Sequence, residues 1–281
     1  MQDAFAHCEA LVRAADKDRY LATLFAPAAH RDALHALYAF NIEIARVREV
    51  VREPLAGEIR LQWWTDAITG EAPDARANPV AAALIATIER HRLPADPLTG
   101  LIAARRFDLY NDAMASLALL EDYARSTSAS LIELAARTLG ESGPMVEQVA
   151  LEAGLGYALA GLLKALPIHS ARGQLFLPTE ILDRHGARRE EIAARHPTPQ
   201  LRAALAEMRE RARAHLGKAR NLIGTAPAAA LPAFLPVAAS GLVLDRMEDE
   251  TRDPFAPIEI PQWRRQWRLW RAARRPALIF S

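Results

Sequence analysis

Apolar residues recur at helical spacing from Asp3 to the end of the chain, and no run of Val, Ile and Thr bounded by turn residues interrupts them. That periodicity restricts the fold to the all-α class. Proline and glycine mark where helices must stop: Pro27, Pro54, the stretch 72–79, the turn at Pro94 and Pro97, Gly140 to Pro144, Pro167, Pro197 and Pro199, and the prolines after Arg220. These breaks divide the chain into about eight or nine helices. No linker, repeat or low-complexity tract separates one part from another, so residues 1–281 are expected to form one domain, although the length alone would also suit two.

Hydrophobic residues make up 51% of the chain, enough for a large core, and charged residues 25%, which excludes global disorder. Lys and Arg number 35 against 34 Asp and Glu, so no overall field favours nucleic acid. Any basic surface must be local. The one cysteine, Cys8, has no partner for an intramolecular disulfide, and no Cys/His grouping has zinc-site spacing. A reducing, cytoplasmic setting is therefore expected, and the start, with Asp3, His7 and Glu9, lacks the pattern of a secretory signal. No charge occurs between Arg220 and Asp245, a span long enough to cross a bilayer. Pro227, Pro232 and Pro236 interrupt it, and the reading is a loop followed by a buried helix.

Several short motifs occur in a consistent order. Leu37-Tyr38-Ala39-Phe40-Asn41 opens a buried helix; Arg60-Leu61-Gln62-Trp63-Trp64, Asn78-Pro79-Val80, His91-Arg92-Leu93-Pro94, Phe107-Asp108-Leu109 and Tyr123 follow. Gly173-Gln174-Leu175-Phe176-Leu177-Pro178 and Asp253-Pro254-Phe255 complete the series. By these residues the chain resembles the squalene/phytoene synthase family over nearly its whole length. The resemblance implies an isoprenoid synthase-like helical bundle around a central cavity. It also implies two facing helices, each with two aspartates four residues apart, that hold Mg²⁺ while diphosphate departs. That spacing puts both carboxylates on one helix face, and Mg²⁺ demands several oxygen ligands.

Here the carboxylates are largely missing. Aligned from Ala39-Phe40, the first motif falls on Ala45 and Glu49, with Arg46 beside it; counted back from the Phe176-Leu177-Pro178 turn, the second falls on Ala165 and His169. No Asp or Glu lies between Gly154 and Gln174, and Pro167 should end or kink the helix that carries the second motif. Asp245 and Asp249 have the same spacing but suit a solvated face, while adjacent Glu121 and Asp122 point apart. Ala39-Phe40-Asn41-Ile42-Glu43 and Leu166-Pro167-Ile168-His169 resemble the non-catalytic branch of the family connected with assembly of respiratory complex I. That branch implies complex I subunits or assembly intermediates as partners, no cofactor, and a place at the inner face of the inner membrane.

Three functions stay open on this reading: an assembly or scaffold factor, an active Mg²⁺-dependent head-to-head prenyltransferase, and a protein that holds a lipid or polyprenyl phosphate without turnover. No nucleophile motif, phosphate loop or nucleotide fingerprint is present. Glu49 and His169 are expected to face a common cavity, and Arg46, Lys164 and Arg172 to form an anion-binding pocket where metal ions would sit. The last helix places Trp263, Trp267 and Trp270 at spacings of four and three among Arg264, Arg265, Arg268, Arg271, Arg274 and Arg275. Its tryptophans either pack on the core or meet a lipid interface or partner. Trp63 and Trp64 read as core.

Overall fold

Prolines that break one helix also begin the next. Pro54, Pro79, Pro144 and Pro199 each occupy the first turn of a helix, where a missing N–H costs nothing and a fixed φ helps. Side chains cap two of these starts: Asn78 accepts from the amides of Val80 and Ala81, and Thr198 from that of Leu201. The computed structural model describes residues 1–249 and 251–281. Among them, eight helices exceed ten residues: α1 (Gln2–Ala15), α2 (Ala28–Ala45), α3 (Pro54–Thr69), α4 (Pro79–His91), α5 (Ala95–Arg105), α6 (Pro144–Lys164), α7 (Pro199–Leu222) and α8 (Gln262–Arg274). Shorter turns join them. No strand occurs among the described residues, only an isolated bridge between Ala113 and Leu175.

From Ala33 to Ile42 helix α2 is apolar apart from His35 and Asn41, as a helix stretch must be when neighbours cover every side. It packs on α1 and α4, and Ala33 to Ile42 are buried without interruption. Phe40 meets Trp64 edge to face at 5.4 Å between ring centres; Trp64 is 1% exposed, and Trp63 is half-buried beside it. The other central helix, α6, packs along α7 and against the π-turn Arg125–Ala129, and it carries small residues where those neighbours come closest. A Cβ on Gly154 would lie 2.3 Å from the Ala129 Cα, so only glycine fits there.

Among the described residues, two segments are long and apolar enough to cross a membrane, Pro144–Lys164 and Ala228–Met247, but 61% of the most apolar window of each is buried inside the fold. The uncharged stretch after Arg220 is thus core: Phe234, Leu235, Val237, Ala238 and Leu244 are all at most 1% exposed.

The tryptophans of α8 do not pack on the core. Trp263, Trp267 and Trp270 are 63%, 55% and 41% exposed. The helix instead turns Leu269 and Ala272 inward, and Arg265 and Arg268 with them: Arg265 pairs with Asp18, and Arg268 donates to the Ala238 carbonyl and to Ser281 Oγ. With those four residues facing the protein, the arc carrying the indoles faces solvent.

Candidate functional site

The two helices on which the sequence places the motifs both stop at or beside the first expected motif position, Ala45 or Ala165. Helix α2 ends at Ala45, and after Arg46 the chain resumes as a single turn, Val47–Val50. Helix α6 ends at Lys164, and beyond Ala165 the turn Leu166–Ala171 begins with Pro167 in its first turn. Residues four apart share a face only along an unbroken helix. Each break therefore separates the first motif position from the second.

Glu49 lies exposed, and its Oε1 accepts from Arg172 Nη1 at 3.1 Å. This pair is solvated on both sides and contributes little to stability. His169 is half-buried against Phe176, ring centres 4.5 Å apart, in a small apolar hollow with Leu163 and Leu166. Glu49 and His169 thus share an end of the fold, linked through Arg172, but not the cavity expected of them.

Burial, then the charges of Arg172 and Arg105, push the His169 pKa down to about 4. The unfolded chain takes up this proton first, so the stability from neutral His169 is complete above its ordinary value of 6.5 and is lost as pH falls toward about 4. Each unit is worth about 1.4 kcal/mol, and partial exposure brings the whole effect to on the order of 2 kcal/mol. Urea denaturation across that range is expected to show His169→Leu losing less stability than the parent by this amount. An identical slope in both proteins would remove His169 from the acid response.

Between α2 and α6 lies a cavity of about 300 Å³. Asn41, Ala45 and Arg46 line it from α2 and its end, Tyr157 and Gly161 from α6, and Thr127 and Ser128 from the π-turn. Two half-buried arginines complete it. Arg19 donates to Asp16 Oδ2 at 2.8 Å and sits 5.5 Å from the ring centres of Tyr38 and Tyr157. Although desolvation opposes its charge, Tyr157 and Asp16 hold that guanidinium more firmly protonated than usual. Arg105 donates to Asp108 Oδ2 at 3.0 Å and to the Tyr123 oxygen at 2.7 Å, while the Tyr123 hydroxyl donates to Asp108 Oδ1 at 2.8 Å. Burial holds the Tyr123 hydroxyl protonated far above its normal range. Gln174 closes the network from outside, donating to the Asp108 carbonyl.

The expected trio of cations is divided among three places. Arg46 lines this cavity and makes no ion pair among the described residues. Lys164 lines a second cavity of about 610 Å³, with Arg246, Glu259 and the Asp18–Arg265 pair, while Arg172 stays outside on Glu49. Arg19 and Arg105, not Lys164 and Arg172, join Arg46 in lining the smaller cavity. Tyr157 and Gly161 line both cavities and form the wall between them.

These residues do not fit a magnesium ion. Mg²⁺ needs near-octahedral oxygen ligands. The smaller cavity's one carboxylate, Asp16, already accepts from the Arg19 side chain and backbone amide, and three guanidinium groups surround the space. Among the described residues, no three His, Cys, Asp or Glu side chains come together as a metal cage.

The sequence profile of squalene/phytoene synthase matches residues 12–271. The chain belongs to the squalene/phytoene synthase family. Within this squalene/phytoene synthase family, one relative is "NADH dehydrogenase (ubiquinone) complex I, assembly factor 6" of Rattus norvegicus, 32% identical over 256 residues that cover 91% of this chain and 77% of the relative. Two solved structures share the fold. Squalene synthase HpnC from Alicyclobacillus acidocaldarius superposes with a TM-score of 0.75 at 23% identity, covering 91% of this chain and 96% of that one. A dehydrosqualene synthase does so with a TM-score of 0.80 at 18% identity, covering 96% and 95%. The all-α isoprenoid synthase architecture expected from the sequence is therefore the observed one.

Proposed function

We propose that this squalene/phytoene synthase family member is a non-catalytic factor in the assembly of a respiratory NADH dehydrogenase, acting at the inner face of an energy-transducing membrane. The observation that carries the reading is the cavity between α2 and α6, lined by Arg19, Arg46 and Arg105 where a magnesium-dependent synthase needs converging carboxylates. The printed name of the rat relative, a complex I assembly factor matched over most of both chains, supports it.

Two assays test the proposal together. Affinity capture of the tagged chain from its native membranes is expected to recover complex I subunits or assembly intermediates. Purified protein given farnesyl or geranylgeranyl diphosphate with Mg²⁺ is expected to form no prenyl product, and Mg²⁺ alone to leave its melting temperature unchanged within about 1 °C, because a single engaged carboxylate cannot repay dehydration of the ion. Product formation, or a metal-dependent rise of several degrees, would overturn it.

A second reading concerns the same cavity. Among the described residues, Arg46 without an ion-pair partner and the buried, unpartnered Nε of Arg105 favour an anionic head group, a polyprenyl phosphate or acidic phospholipid, held without metal. Lipid extracted from the purified protein should fall in Arg46→Gln and stay at the parental level in Lys164→Gln, whose side chain lines the other cavity. Equal lipid in all three proteins would dismiss it.

A further inference from the structure

Helix α8 turns by ~100° per residue, which places Trp263, Trp267, Trp270 and Arg274 within about 60° of arc on its outer side. The opposite side is fixed to the protein through Leu269, Ala272 and the Arg265–Asp18 pair. Trp267 and Trp270 stack on each other at 5.0 Å with planes 13° apart, and Arg264 and Arg274 lie over Trp263 and Trp270 at 5.3 and 3.6 Å. Arg271 borders the same arc and is exposed, and α8 contains no carboxylate. So much aromatic surface held in water by a rigidly seated helix calls for a partner.

We infer that the outer face of α8 is a docking surface for an anionic lipid bilayer. An indole has an apolar body and one N–H donor, which suits the boundary between head groups and acyl chains. The guanidinium groups beside the rings complement phosphate, and the absence of any carboxylate removes the repulsion such a surface would otherwise exert. A protein partner of matching size would need to supply every counter-charge itself; a leaflet containing acidic lipid supplies them at any orientation about the membrane normal. The larger cavity adjoins the same end of the helix, since Ile258, Ile260, Pro261 and Arg265 belong to its wall. The inference deepens the membrane location in the proposed function and makes no use of the assembly role.

The test is co-sedimentation of the full chain with vesicles of phosphatidylcholine alone and of phosphatidylcholine with about one third phosphatidylglycerol, with indole fluorescence read in parallel. The parent is expected to bind the acidic vesicles, to bind less as salt rises, and to shift its emission to the blue. Trp263→Ala with Trp267→Ala and Trp270→Ala should lower partitioning at least about tenfold. Arg264→Gln with Arg271→Gln and Arg274→Gln should lower it by roughly a hundredfold at low salt. Both triple variants alter exposed groups, so far-UV circular dichroism and melting temperature should match the parent. Failure of the parent to bind acidic vesicles, equal binding to both compositions, or unchanged binding by the variants overturns the inference, as does a parent that dimerises through these residues and ignores lipid. Because no complex I component is present, loss of this result leaves the capture result standing, and the reverse.

Discussion

Asp108→Ala is expected to cost about 3–5 kcal/mol of stability, because it leaves the Arg105 guanidinium inside the fold without its counter-charge. The carboxylate accepts both the Arg105 and Tyr123 hydrogen bonds, and its side chain is 11% exposed against 20% for Arg105. Water reaches neither group freely. Replacing both members of a buried pair with apolar groups is far less damaging than removing one. Asp108→Ala combined with Arg105→Met should thus recover most of the loss. Urea denaturation of the parent, the single variant and the double variant measures this directly; a single-variant loss below about 1 kcal/mol would show that the network hardly contributes.

The second large effect is steric. Gly154→Ala would bring a methyl group to 2.3 Å from the Ala129 Cα and 2.4 Å from its amide nitrogen, backbone atoms that cannot rotate aside. Helix α6 and the π-turn must then separate, which should cost about 3 kcal/mol. Gly161 on the same helix provides the contrast, since nothing lies within 4 Å of its added methyl group. Gly161→Ala should stabilise the protein by about 0.5–1 kcal/mol through the unfolded chain. If both substitutions shifted the denaturation midpoint equally, close contact between α6 and the π-turn would not be what requires glycine.

The helical architecture was legible in the sequence because its punctuation is local. Pro54, Pro79, Pro144 and Pro199 act within one turn of themselves, and Pro167 coincides with the break that closes α6. Ala45 and Ala165, the positions counted from neighbouring motifs, fall at two such breaks. What the sequence did not disclose was the lining of the cavity. Arg19 and Arg105 lie far apart in the chain, and their approach depends on how the short helix Lys17–Thr23, α5 and α6 stack, which no short spacing encodes. The motif Phe107-Asp108-Leu109 and Tyr123 were visible as a likeness, yet their joint hold on Arg105 exists only in three dimensions. The spacing of Trp263, Trp267 and Trp270 fixed that they share a face. Which face meets water was decided by Leu269, Ala272 and the inward arginines, a choice that periodicity leaves open.

The pairing of Arg265 with Asp18 joins residues 247 positions apart. At translation speeds of about 5–20 residues per second, roughly 12–50 s separate the appearance of one partner from that of the other. Asp18 therefore waits on a nascent chain whose seat for α8 is already forming before α8 itself has been made. Membrane affinity would then be conferred only after the intervening segment has had time to fold. A truncated product, lacking α8, would be released without an address.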